Sequence, residues 1–140
     1  MIFNILIDTG FWIALYDPKE NLQQALIAEK IAEEIEDENI IIPFPTLYEF
    51  INSRLSRREA KIQFERILKK TNVKLLSDQI YKETALENFF SNSKYDHTDI
   101  SLVDEILKLI ILDPNIKIDY IASFDNGLIN AAIANGIRKI

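Results

Sequence analysis

Apolar residues along the chain fall into short β-branched runs that alternate with stretches of helical spacing. Residues 2–7 (IFNILI) form the first run and stop at Asp8, Thr9 and Gly10, the pattern of a buried strand ending in a polar turn. Over 21–36, Leu22, Ala25, Leu26, Ala28, Ile31, Ala32 and Ile35 recur every three or four residues, and charged residues hold the other face, which predicts an amphipathic helix. Residues 40–42 predict a second strand closed by Pro43 and Pro45, after which Leu47, Phe50, Ile51 and Leu55 carry a helical stripe onward. A helix over 59–70 follows, with Ala60, Phe64, Ile67 and Leu68 inward. Residues 73–76 predict a strand, 78–90 a helix built on Ile80, Ala85, Leu86 and Phe89, and the polar stretch 91–98 (SNSKYDHT) a loop. The stripe Leu102, Val103, Ile106, Leu107, Ile110, Ile111 predicts a helix ending before Pro114. Residues 118–124 predict another buried strand, stopped at Asp125, Asn126 and Gly127, and a last helix over 128–135 is capped by Gly136. Strands alternating with helices predict an α/β domain, with helices on both faces of a mostly parallel sheet.

Composition narrows what such a domain can do. With 140 residues, the chain fits one domain over 1–140, and 48% hydrophobic with 27% charged residues is ordinary for a globular core. There is no cysteine, which excludes a cysteine nucleophile, zinc fingers and iron–sulfur ligation and fits a reducing cytosol. A net charge of −6 argues against wholesale binding to a nucleic-acid backbone. No apolar stretch is long enough to cross a membrane, and the apolar start is broken by Asp8 without a basic leader, so a cytoplasmic protein with no membrane partner is expected. Only Gly10, Gly127 and Gly136 are glycines, so there is no glycine-rich phosphate loop. His97, the single histidine, has no plausible serine nucleophile to serve.

In an open parallel sheet, ligands gather beyond the carboxyl ends of the strands. Asp8 and Asp125 end the first and the late strand, Glu49 lies early in the helix after residue 42, and Asp104 lies near the start of the 102–111 helix. Four carboxylates therefore map to one edge. Each also has an ordinary structural use: Asp8 and Asp125 as turn formers, Thr46-x-x-Glu49 and Ser101-x-x-Asp104 as capping boxes. Convergence is costly, because two unit charges about 4 Å apart repel by about 4 kcal/mol at an effective dielectric near 20. A dication offsets that cost, and hard oxygen ligands suit Mg2+ or Mn2+. Without one, at least one of the four carboxyls is expected to have a raised pKa.

The segments "ILIDTGFWIALYDPKEN", "PTLYEFIN", "TDISLVDEILKL" and "IASFDNGL", in this order, resemble the motifs of PIN-domain ribonucleases along essentially the whole chain. The resemblance implies a three-layer α/β/α sandwich and a metal-dependent endoribonuclease acting on single-stranded RNA. It implies Asp8, Glu49, Asp104 and Asp125 as catalytic, metal-binding acids, Asp99 as an additional ligand, and Thr9 and Ser101 beside the site to orient them. Many small bacterial and archaeal relatives are toxins paired with an antitoxin protein and form homodimers. The chain departs from relatives that have a histidine just beyond the "DP" segment, since Asn21, Leu22, Gln23 and Gln24 stand there.

Charge is uneven, with a local +5 over 54–70 and a local −6 over 17–38. Arg54, Arg57, Arg58 and Lys61 directly follow Glu49 and are candidates to hold an RNA backbone, although a solvated helix face explains them equally. Phe11 and Trp12 suit base stacking or simple packing. Two other readings stay open: a PIN-like RNA-binding or protein-interaction module without catalysis, and a receiver-type domain. The second is disfavoured by the single acid, Asp8, after the first strand.

Overall fold

Strand β1 (Asn4–Ile7) sends Ile5 and Ile7 into one apolar core and Leu6 into another, each at most 2% exposed. A strand buried on both faces is what a continuous apolar run predicts for the centre of a parallel sheet. The computed structural model describes residues 1–54, 58–95 and 101–140, and the side chains of all of these except 53, 54 and 92–95.

The chain continues through α1 (Thr9–Tyr16), α2 (Leu22–Glu34), β2 (Asn39–Pro43), α3 (Phe44–Arg54), α4 (Arg58–Leu68) and β3 (Val73–Leu76). It then returns through α5 (Lys82–Tyr95), α6 (Leu102–Leu112), β4 (Tyr120–Ala122), α7 (Asn126–Ala134) and β5 (Arg138–Lys139). All strand pairs are parallel, in the order β3-β2-β1-β4-β5. From β1 the chain winds outward through β2 to β3, then jumps back to β4 on the other side of β1. Because crossovers are right-handed, this reversal puts the helices of the two halves on opposite faces of the sheet. Residues of α1 to α4, with Ile40 and Ile42, form the first core, and residues of α5 to α7, with Ile41 and Ile121, form the second. The result is the three-layer α/β/α sandwich with a parallel centre.

The predicted elements are recovered with four corrections. Leu22 and Leu26 are 67% and 59% exposed, because α2 packs through a face centred between Ala25 and Ala28, from which the two leucines are turned by roughly 90° and 130°. Ile80 is 76% exposed: residues 77–81 form a turn, and it is Tyr81 that is buried there, donating its hydroxyl to Asp113 Oδ2 at 2.5 Å. The stretch assigned to a loop continues α5 as far as Tyr95, since polarity alone does not end a helix; residues 96–98 lie outside the described residues. The strand expected over 118–124 is only Tyr120–Ala122, and the two-residue β5 has no apolar run to announce it. Gly136 does end the last helix as expected, with φ at +81° in the region that favours glycine.

Candidate functional site

The reversal of winding between β1 and β4 creates a crevice at their carboxyl ends, and the residues that follow these two strands meet there. An open cleft of about 300 Å³ is lined by Asp8, Thr9, Glu49, Asp104 and Asp125, with Ile13, Leu107, Phe124 and Leu128 supplying apolar walls. Four acids from four chain segments thus share one hollow. Their burial is graded: Asp8 is 4% exposed, Asp104 half-buried, and Glu49 and Asp125 exposed.

The ordinary structural uses of these aspartates turn out to coexist with the cleft. Asp8 is the N-cap of α1, with Oδ1 accepting from the Phe11 amide at 3.1 Å, and Asp125 is the N-cap of α7, with Oδ1 accepting from the Leu128 amide at 3.0 Å. Capping fixes each carboxylate through one oxygen. A side chain at Gly127 would crowd Asp125 Oδ1, with its Cβ at 3.2 Å. Ser101 caps α6, its Oγ accepting from the Asp104 amide at 3.1 Å. The Thr46-x-x-Glu49 box is not formed. Thr46 lies inside α3 with a buried hydroxyl that has no partner, and Glu49 Oε1 instead accepts from the Thr9 hydroxyl at 2.8 Å.

Two contributors escaped the sequence reading. Ser123, 5% exposed, donates its hydroxyl to Asp8 Oδ2 while its Oγ accepts from the Asp125 amide at 3.0 Å, so one side chain ties two acids together. The signal was register: with Ile7 opposite Ala122, the next residues out of the two strands are Asp8 and Ser123. Lys108 stands one helical turn beyond Asp104 and its charge favours the ionised form of that carboxyl. The i, i+4 spacing was visible, but it is routine on any helix.

Electrostatics follow the burial. Desolvation is the main cause that pushes the Asp8 carboxyl up to about 6, with the charges of Asp125 and Asp104 adding to it and the Ser123 and Phe11 hydrogen bonds opposing it. Asp104 is raised for the same first reason and then by Asp125, against hydrogen bonds with Ser101 and the Lys108 charge. The expectation of a raised carboxyl is therefore met, though burial outweighs like-charge repulsion as its cause.

Of the remaining expected residues, Asp99, Arg57 and His97 and the side chain of Arg54 lie outside the described residues. Arg58 and Lys61 are exposed on α4, and neither lines the cleft. Farther along the same basic stretch, Lys69 pairs with Glu65 at 3.1 Å and Lys70 with Glu36 at 3.9 Å, which removes part of the local positive charge. Among the described residues, no three His, Cys, Asp or Glu side chains are grouped as they would be around a bound ion. The donor chemistry nevertheless suits a hard dication, because the polar lining of the cleft is almost entirely carboxylate and hydroxyl oxygen.

No family model matches the sequence, and no curated protein matches it significantly. Among solved structures, the chain is similar to the crystal structure of VapC20 of Mycobacterium tuberculosis, a sarcin-ricin loop cleaving toxin. The two are 19% identical, with a TM-score of 0.66 over 91% of this chain and 94% of the other. The shared architecture is the PIN-like α/β/α fold.

Proposed function

We propose that this chain is a PIN-type endoribonuclease that cleaves single-stranded RNA at the cleft formed by Asp8, Glu49, Asp104 and Asp125, and that it serves as the toxin of a toxin–antitoxin pair. The observation that supports this reading most is the meeting of these four acids in one hollow at the switch point of the sheet. The likeness to a sarcin-ricin loop cleaving toxin over nine-tenths of both chains supports the substrate class and the toxin role.

Asp8, Glu49, Asp104 and Asp125 would hold the Mg2+ or Mn2+ ion, with Asp99 as a further ligand; such an ion supplies positive charge for a phosphodiester and acidifies an attacking water. The chain's own residues do the positioning. Phe11 and Ser123 hold the two oxygens of Asp8, Thr9 holds Glu49, and Leu128 holds Asp125, so the acids do not have to be ordered when substrate arrives. Lys108 tempers the negative field beside Asp104. The walls formed by Ile13, Leu107 and Phe124 exclude water from one side of the hollow. Exposed Arg58 and Lys61, with Arg54 and Arg57, carry the RNA backbone outside it. An antitoxin protein and a second copy of the chain are the protein partners that go with this reading.

The test is cleavage of a panel of unstructured RNAs by purified protein with manganese, beside Asp8→Asn and Asp104→Asn. Cleavage that both substitutions abolish supports the site. Intact RNA, or variants as active as the parent, would leave only an RNA-binding or interaction module.

A further inference from the structure

The carboxylate cleft is only partly carboxylate. Ile13 from α1 and Phe124 from the turn after β4 stand in its wall, with Leu107 and Leu128 on the side of α6 and α7. A phosphodiester and an ion account for the acids, but neither covers carbon. The broad apolar surfaces of an RNA chain are the faces of its bases, so the carbon part of the wall bears on which nucleotide enters.

The aromatic residues that the sequence offers for base stacking are used elsewhere. Phe11 and Trp12 are 1% and 3% exposed, and both line a separate apolar hollow of about 270 Å³ on the face of α1 opposite Thr9, Gly10 and Ile13. Phe124 is half-buried and is the one aromatic residue that lines the cleft among the described residues. It sits between Ser123 and Asp125, which are joined by the Asp125 amide donating to Ser123 Oγ at 3.0 Å. Its ring packs on the first core and lies nearly parallel to that of Phe11, with 12° between the planes and 6.4 Å between the centroids. Offset stacking of this kind is a preferred arrangement of aromatic pairs and fixes the tilt of the ring. A flat apolar group one residue from Asp125 is therefore oriented by the core before any substrate arrives.

We propose that Phe124 is the base-stacking residue of the cleft, on which a nucleobase adjoining the phosphodiester at the carboxylates lies. The inference rests on the nuclease reading and adds to it the element that selects the nucleotide. Stacking uses the π-face that every base has, so it discriminates by ring area rather than by hydrogen-bond pattern, and a purine outranks a pyrimidine at that position. A base inside a duplex has both faces covered by its neighbours, so the same contact favours single-stranded RNA.

The test uses full-length protein with manganese and an unstructured RNA with one cleavage site, in which each nucleotide flanking the cut is made abasic in turn. Removal of one of these bases is expected to lower kcat/KM by about tenfold to a hundredfold, the range for one aromatic–base stack, and a purine-to-pyrimidine change there should give a smaller loss. In Phe124→Leu the same abasic change should cost little, whereas Phe124→Tyr, which keeps the ring, should behave as the parent. Should Phe124→Leu fail to fold, Phe124→Met, unbranched and adaptable in packing, takes its place. A second readout needs no cleavage: 2-aminopurine, placed at each position of a short RNA in turn, should be quenched by stacking at one of them on Asp104→Asn protein and not when Phe124→Leu is added. Cleavage that needs the acids but is indifferent to every flanking base, or a loss of equal size in Phe124→Leu, overturns the proposal and leaves the nuclease standing. Quenching that depends on Phe124 in a protein that cleaves nothing upholds the base contact and sinks the nuclease reading. No quenching at any position, or quenching that survives Phe124→Leu, overturns the proposal whatever cleavage shows.

Discussion

The carboxylate cleft and the apolar cavity lie on opposite faces of one eight-residue helix, yet they handle buried polarity in opposite ways. On the cleft side both oxygens of Asp8, the most deeply buried acid, accept hydrogen bonds, and the surplus is negative charge. On the other side nearly everything is carbon, and the indole N–H of Trp12 is enclosed there without a hydrogen-bond partner. The difference follows from position on α1. The helix is apolar nearly all round, with Phe11, Trp12 and Ala14 buried, and its first turn, at the strand ends, stands beside the carboxylates. A fold can therefore set two chemically opposite hollows within a few residues of each other without mixing them.

The largest expected effect tests whether the two sides are separate in function. Asp104→Asn is expected to lower RNA cleavage with manganese by on the order of a thousandfold, because it removes one charge from the set that organises the reaction. Trp12→Phe, on the other face of α1, should change that rate by no more than about threefold, as a conservative swap remote from the reacting groups. Initial rates on one labelled RNA measure both. A cavity-side substitution that cost as much as Asp104→Asn would break the separation.

A smaller effect concerns the charge surplus itself. The Asp8 carboxyl sits at about 6 in the folded chain against an ordinary value of 3.8, so the folded state holds its proton to higher pH than the unfolded state does. The stability contributed by that proton is fully present below about pH 4 and is lost as pH rises through about 6. About two pKa units correspond to roughly 3 kcal/mol. Asp8→Asn, which cannot ionise, is expected to gain up to that amount relative to the parent between pH 4 and pH 7.5 in chelator-treated protein. Urea titrations of both proteins at the two pH values measure it. A difference that is flat with pH would mean that burial does not govern this carboxyl.

Much of this organisation was legible in the sequence, for reasons that differ between the fold and the site. Continuous apolar runs such as 5–7 and 40–42 mark strands buried on both faces, because a parallel sheet needs apolar side chains in both directions. The acids were legible because Asp8 and Asp125 follow strands, Asp104 lies in the first turn of α6 and Glu49 in the second turn of α3, and such positions share one edge of an open sheet. Which α2 residues face inward was not legible. Leucine outranks alanine in hydropathy, but Ala25 and Ala28 permit the close approach of α2 to α1, and Leu22 and Leu26 are left outside. Ser123 escaped for a different reason. Its role depends on the register of β1 against β4, which pairs residues more than a hundred positions apart and has no local trace. The orphan Trp12 donor was equally hidden, since an aromatic after a core strand is a packing residue in most settings, and only the three-dimensional surroundings show that its nitrogen lacks a partner.

The smallest expected effect isolates the group that keeps Asp8 satisfied on one face of α1, where Trp12 on the other is not. Ser123→Ala removes the donor to Asp8 Oδ2 and the acceptor for the Asp125 amide together. That donor favours the ionised form of Asp8, so its loss should raise the carboxyl further above about 6. A hydrogen bond to a carboxylate contributes about 1.5–3 kcal/mol, and the variant should lose about that amount above pH 7 but less below pH 5, where Asp8 is protonated in either protein. Cleavage should fall about tenfold, the usual cost of losing a partner that orients a ligand carboxylate, and mainly in kcat, because Asp8 stays in place but is less firmly held. Ser123→Thr keeps a hydroxyl at the same atom and should recover most of both losses. The deciding measurement is the 13C titration of the Asp8 carboxyl. An unchanged midpoint in Ser123→Ala would show that the serine fills space at the end of β4 without tuning the acid, and the contrast between a satisfied acid on one face of α1 and an unmet donor on the other would lose its physical basis.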